Sequence, residues 1–233
     1  MTLKALYSNI KRKLAYIPVV LLLLAAGYCF RMALADALTT QVAYQLHQPS
    51  LSDAEWRITG QLLRQVLLLA PDQARSLELA GQFYQAQGYR QSSQQDFASH
   101  QDSRQKALHY FRQALRHNPA WPYLWDRLAL TKMSLQQYDR ELNGALERIA
   151  RLGPWEKTLQ YDLAIIGLSA SDYLDQTGRE ALYFAVEQSL KMQGKDTQQS
   201  LMAQFKLKTL CKGVQYSNAN LSTLSQRCAE KPG

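Results

Sequence analysis

The 233-residue chain carries 27 Lys and Arg against 19 Asp and Glu, a formal charge of +8, with 46% hydrophobic residues and three cysteines. That length holds one sizeable core, or one membrane anchor and one domain. Lys4, Lys11, Arg12, Lys13 and Arg31 fall in the first 35 residues, which have no acid, and leave 22 bases against 19 acids elsewhere; with no basic stripe downstream, a nucleic-acid surface is excluded.

Leu14 to Phe30 runs 17 residues without a charge, between Lys11-Arg12-Lys13 and Arg31. As a helix it rises about 25 Å, close to the thickness of a bilayer core. The basic cluster precedes it, so the positive-inside rule keeps the amino terminus cytoplasmic and exports the rest. Ala33-Leu34-Ala35 is a small-x-small cleavage pattern. Arg31 separates it from the apolar stretch, however, and the stretch is long for a signal core, which favours an uncleaved anchor. Cys29 follows Tyr28 rather than a small residue, so it reads as an apolar membrane residue and not as a lipid attachment point. Residues 1–35 thus read as a cytoplasmic basic stub and transmembrane signal anchor.

Beyond the anchor no period-2 alternation stands out, and the chain reads as all-α. Leu38, Val42 and Leu46 continue a helix outward until Pro49. Ser52-Asp-Ala-Glu55 fits a capping box, and the helix behind it turns Trp56, Leu63, Val66 and Leu67 inward until Pro71. The next helix gathers Leu77, Ala80, Gly81 and Tyr84 on one face, with Gly88 as its expected stop. Arg90 to Ser103 is polar and reads as an inserted loop or a solvated helix extension. Ala107, Phe111 and Ala114 then share a helix face that ends at Pro119, and Pro122 opens a helix carrying Trp125, Leu128 and Ala129. Leu159, Leu163, Ile166 and Ala170 predict a further buried helix. Residues 180–191, 198–211 and 220–228 give three more helical periods, with Leu182, Val186 and Leu190, then Leu201, Phe205 and Leu210, facing inward.

Small, aromatic, small, proline and then tryptophan, from Ala107 through Trp125, resembles the joint between two tetratricopeptide repeats. Leu77, Gly81 and Tyr84 match the first helix of such a repeat. A second, degenerate unit runs from Trp125 through Tyr138 to Pro154, with Glu141 where the repeat has alanine. The resemblance implies repeats over residues 36–154 and a helical extension over 155–233. It also implies an inner groove lined by Arg75, Glu78, Gln82, Gln85, Tyr123, Asp126, Leu130 and Met133, mixed and polar, suited to an extended peptide or glycan. Gly153-Pro-Trp-Glu156 with Gly167-Leu168 resembles the carboxy-terminal half of VpsP-type exopolysaccharide proteins, which have one amino-terminal membrane segment. That likeness implies a role in polysaccharide synthesis or export, with protein components of that machinery as partners and a periplasmic domain anchored in a bacterial inner membrane.

The chemistry-bearing residues add no reaction. His109 and His117 are eight residues apart, about 12 Å along a helix, too far to share a metal. With His100 they read as surface histidines, and no metal or cofactor is expected. Asp53, Glu55, Asp126, Glu141, Glu156 and Asp162 could include a glycosidase pair only at a separation that sequence does not show. Nucleophile-elbow and phosphate-loop patterns are missing. Trp56 and Trp125 fall on apolar faces and read as core; Trp121, in an Ala-Trp-Pro turn, is the tryptophan most free to face outward. Export would place Cys211 and Cys228 in an oxidising compartment, where the pair can close if 213–217 turns the chain back. A non-enzymatic membrane-anchored scaffold is the leading reading. A periplasmic assembly or chaperone adaptor that binds protein tails, and a glycan-acting enzyme, are the alternatives.

Overall fold

The computed structural model describes residues 3–48, 50–93, 97–192, 211 and 221–230. These are α-helical with one short 3-10 turn and no strand among them. The helices are α1 (Leu3–Leu46), α2 (Asp53–Leu69), α3 (Ala74–Ser93), α4 (Phe97–His117), α5 (Pro122–Ser134), α6 (Arg140–Leu152), α7 (Lys157–Ser169), α8 (Gln176–Met192) and, nearest the carboxy terminus, α9 (Ser222–Glu230). Two compact units divide the chain, Met1–Leu79 and Ala80–Gly233. That boundary falls within α3 and differs from both divisions, at 35 and at 154, that the sequence suggests.

In the first unit, α1 is one 44-residue helix that carries Pro18 within it. Its part Tyr16–Leu46 is long and apolar enough to cross a membrane. Tyr16 to Phe30 is exposed along its whole length, whereas Ala35, Thr39 and Val42 are buried. These three line the seam with α2, which buries Thr59, Leu63 and Val66. Thr59 Oγ1 lies 2.7 Å from Gln45 Oε1 across that seam and 2.8 Å from the Glu55 carbonyl. The capping box forms as read: the Ser52 amide donates to Glu55 Oε2 at 2.8 Å, and the Glu55 amide donates to Ser52 Oγ at 3.3 Å. Trp56 and Leu67 are only half-buried, because Thr59 takes the inward position between Trp56 and Leu63.

The second unit is built of helix pairs. Ala107, Phe111 and Ala114 of α4 are fully buried, and Phe111 packs so closely on Gly81 that a side-chain carbon there would overlap its ring. Gly88 does not stop α3. No glycine among the described residues has positive φ, and Gly88 instead permits close approach of α4. A methyl group at Gly88 would sit 3.2 Å from Arg104 Cγ and 3.4 Å from the His100 carbonyl oxygen. Of the two expectations for 90–103, loop or helix extension, the described residues show helix, α3 running to Ser93 and α4 starting at Phe97. Residues 94–96 of that stretch lie outside the described residues. His100 is buried rather than superficial, its Nδ1 2.7 Å from the Gly88 carbonyl oxygen, while His109 and His117 are exposed as read.

Short turns join α5 to α6 and α7 to α8, so each pair runs antiparallel. Lys132, fully buried, places Nζ 2.8 Å from Asp139 Oδ2 and 2.7 Å from Glu141 Oε2. Arg112 of α4 clamps the same Glu141 with both Nε and Nη2, at 2.8 and 2.6 Å. Glu141 thus ties α4, α5 and α6 together. Asn143 ties α6 to the start of α8, accepting from the Asp175 amide at 3.1 Å.

Helix α9 docks on α8 through buried Leu221 and Leu224 and through Glu187. The Glu187 carboxylate accepts from the Thr223 and Leu224 amides at 2.9 and 2.8 Å and pairs with Lys191 Nζ at 3.0 Å. Cys211 and Cys228 form a disulfide with Cα atoms 5.6 Å apart. The expected helix over 198–211, with Leu201, Phe205 and Leu210, and the turn over 213–217 lie outside the described residues, as does Pro49.

Candidate functional site

The first turns of α5 and α7 lie side by side, because α5 packs on α7 as well as on α6. Each helix starts at a punctuating proline or glycine. Pro122 is the first helical residue of α5, behind Trp121 at the cap position. Glu156 is the cap position of α7, behind Gly153-Pro154-Trp155. Packing explains the alignment, since Leu124 and Leu128 of α5 and Leu159 and Leu163 of α7 are all buried. Gln160, also buried, donates from Nε2 to the Gly153 carbonyl at 2.8 Å and so holds the turn before α7.

On the surface above that packing, Tyr123 Oη donates to Glu156 Oε2 at 3.0 Å. The Trp121 and Tyr123 rings lie 5.3 Å apart, tilted by 43°. Trp121 is 45% exposed and Trp155 78% exposed. One helical turn beyond Tyr123 lies Asp126, only 7% exposed, whose Oδ1 has no hydrogen-bond partner. Burial, and then the nearby Asp162 carboxyl, push Asp126 up to about 7; burial raises Asp162 as well. The hydrogen bond to Glu156 raises the Tyr123 hydroxyl. The patch therefore offers flat apolar rings beside carboxyl groups, one of which is partly protonated at neutral pH and can donate as well as accept.

Trp125 is placed differently. Its Nε1 donates to the Pro119 carbonyl at 2.8 Å, and the Arg148 guanidinium lies 4.4 Å from its ring centroid. It is half-buried rather than core, and it fastens the α4–α5 turn from the side.

Of the eight groove positions, Arg75 and Glu78 belong to the first unit, where Arg75 Nη1 donates to buried Glu78 at 3.1 Å. In the second unit, Gln82 and Gln85 are half-buried on α3, and Tyr123, Leu130 and Met133 are half-buried on α5 beside buried Asp126. Tyr123 and Asp126 are the two brought into a defined polar arrangement. Sequence reasoning did not join Trp155, Glu156 and Asp162 to them. The available signal was the 34-residue spacing of Trp121 and Trp155, one repeat length, each just ahead of a helix.

An open cleft of about 690 Å³ lies between α6 and α8, lined by Ala150, Arg151, Pro154, Glu180, Ala181 and Phe184 among others. No group of three metal-ligating side chains occurs among the described residues. Compared with known proteins, the chain matches no family model and no curated protein.

Proposed function

We propose that the protein is a single-pass, membrane-anchored scaffold whose tetratricopeptide-like helix pairs stand on the periplasmic side of a bacterial inner membrane and serve exopolysaccharide assembly or export. The observation that carries this reading is the division of labour within α1: an exposed apolar stretch from Tyr16 to Phe30 continues without a break into a face buried against α2. A bridged Cys211–Cys228 pair suits an oxidising compartment. The polysaccharide role rests on the VpsP-type resemblance around Gly153-Pro-Trp-Glu156.

The test has two arms. A reporter active only outside the cytoplasm should work when fused after Gly233 and stay silent when fused at Ser8. Disrupting the gene should lower secreted polymer while leaving other exported proteins at normal levels. Loss of exported proteins with unchanged polymer would favour the chaperone-adaptor reading instead. The neighbouring Asp126 and Asp162 carboxyls favour a glycan-acting enzyme as a second reading. In that case Asp126→Asn and Asp162→Asn would each change polymer chain length without changing the amount of protein.

A further inference from the structure

Resting on the scaffold reading, we propose that the α5–α7 face binds a neutral glycan chain directly, with Trp121 and Trp155 as stacking platforms and Tyr123, Glu156 and Asp126 as partners for sugar hydroxyls. Three independent observations converge on it. First, the two indoles are 45% and 78% exposed, one repeat apart, and each immediately precedes the cap position of a helix or occupies it. Exposed indoles at the starts of two helices that pack together give a sugar ring's apolar face a surface to stack on. Trp125, six residues from Pro119, shows the structural alternative, its N–H taken by a carbonyl and its face by Arg148.

Second, Asp126 Oδ1 is buried without a partner beside that surface. A buried carboxyl oxygen left unpaired is costly, and a hydroxyl-rich ligand completes it. Third, the patch gathers the Asp126, Glu156 and Asp162 carboxyls and the Tyr123 hydroxyl, with Arg127 near Asp126 and exposed Lys157 next to Glu156 in the chain. Carboxyls outnumber bases there, which disfavours a polyanion. Burial raises the Asp126 carboxyl to about 7, which weakens capture of a cationic peptide but leaves hydrogen bonding to hydroxyls intact. The sugar ring's apolar C–H face meets an indole, and its hydroxyls meet the carboxyls.

The experiment uses the full-length chain in lipid nanodiscs, which avoid glycoside detergents. Hexamers of β-1,4-glucose, α-1,4-glucose, β-1,4-mannose and β-1,4-N-acetylglucosamine are titrated, with tryptophan fluorescence and saturation-transfer NMR as readouts. At least one hexamer should bind, and Trp121→Ala and Trp155→Ala should each weaken it about tenfold or more while helicity is unchanged. A lysine-rich peptide should not displace it. Binding of no hexamer, binding indifferent to both tryptophans, or displacement by the peptide would overturn the proposal. If gene disruption still lowers polymer while no hexamer binds, the scaffold reading stands and this inference alone falls.

Discussion

Replacing Glu187 with alanine should release α9 from α8 while leaving the other helix pairs of that unit in place. The Glu187 carboxylate accepts two amides of the first turn of α9, at 2.9 and 2.8 Å, and lies 3.3 Å from Ser222 Oγ. A hydrogen bond to a charged group contributes about 1.5–3 kcal/mol, so the two amides together are worth about 3–6 kcal/mol. Water reaching the freed amides offsets part of this, and the Lys191 pair adds little because Lys191 is 42% exposed, leaving a net loss of about 2–3 kcal/mol. Burial of Leu221 and Leu224 contributes about 1.5–3 kcal/mol each. The disulfide, closing a separation of 17 residues, removes denatured-state entropy worth about 3 kcal/mol. Amide exchange over Ser222–Glu230 should therefore quicken about 30- to 150-fold in Glu187→Ala, and more when the disulfide is also reduced. Exchange of α5–α7 should not change. Burial pushes the Glu187 carboxyl up, but the α9 amides and Lys191 outweigh it and hold the group below the usual carboxylate range. Its stabilisation is thus present above the ordinary value of 4.5 and is lost as pH falls through the lower folded value, so acid should loosen α9 in the parent and not in the variant. Unchanged exchange of α9, or equal quickening across all helices, would refute the clamp.

Gly81→Ala should destabilise the second unit by about 1–3 kcal/mol in denaturant titration, since the new methyl overlaps the Phe111 ring, and Phe111→Leu should recover part of that loss. Lys132→Ala should cost about 2–3 kcal/mol, less than a fully enclosed pair would, because Asp139 and Glu141 keep some solvent; the loss should vary little with salt because Lys132 is 0% exposed. Asp126 is raised, so the folded state holds its proton more tightly than the unfolded chain: stability should fall as pH rises from 3.8 through about 7. Asp126→Asn should flatten that part of the profile and raise stability above pH 7 by at most about 4 kcal/mol, measured by thermal melts across pH.

Local rules written into single residues were legible before any coordinates. Pro119 and Pro122 set one helix end and the next start, Ser52 and Glu55 formed their box, and Ala107, Phe111 and Ala114 faced the core. What escaped was tertiary. A glycine in a helix reads the same whether it ends the helix or admits a neighbour, so Gly88 looked like a stop. The aromatic Trp56 looked like core, but the helix phase gave the inward position to Thr59, whose hydroxyl is satisfied by Gln45 and the Glu55 carbonyl. Glu141 looked only like a departure from an alanine position, because nothing local announces its partners Lys132 and Arg112 on other helices. The α5–α7 patch joins residues about 30 apart, so only the repeat interval of Trp121 and Trp155 hinted at it.

The unbroken run of α1 has a geometric consequence. Each residue of a helix turns the chain by about 100°, so the azimuth at which Tyr16–Phe30 points is set by the α2-facing seam at Ala35, Thr39 and Val42. Deleting one residue between Arg31 and Leu34 would leave hydropathy and seam intact yet swing the exposed apolar stretch by about 100°. Inserting seven, nearly two full turns, would restore its heading to within about 20° while lengthening the rod by about 10 Å. Anything that touches Tyr16–Phe30 is thus phase-locked to the α1–α2 pair, as two gears are on one shaft.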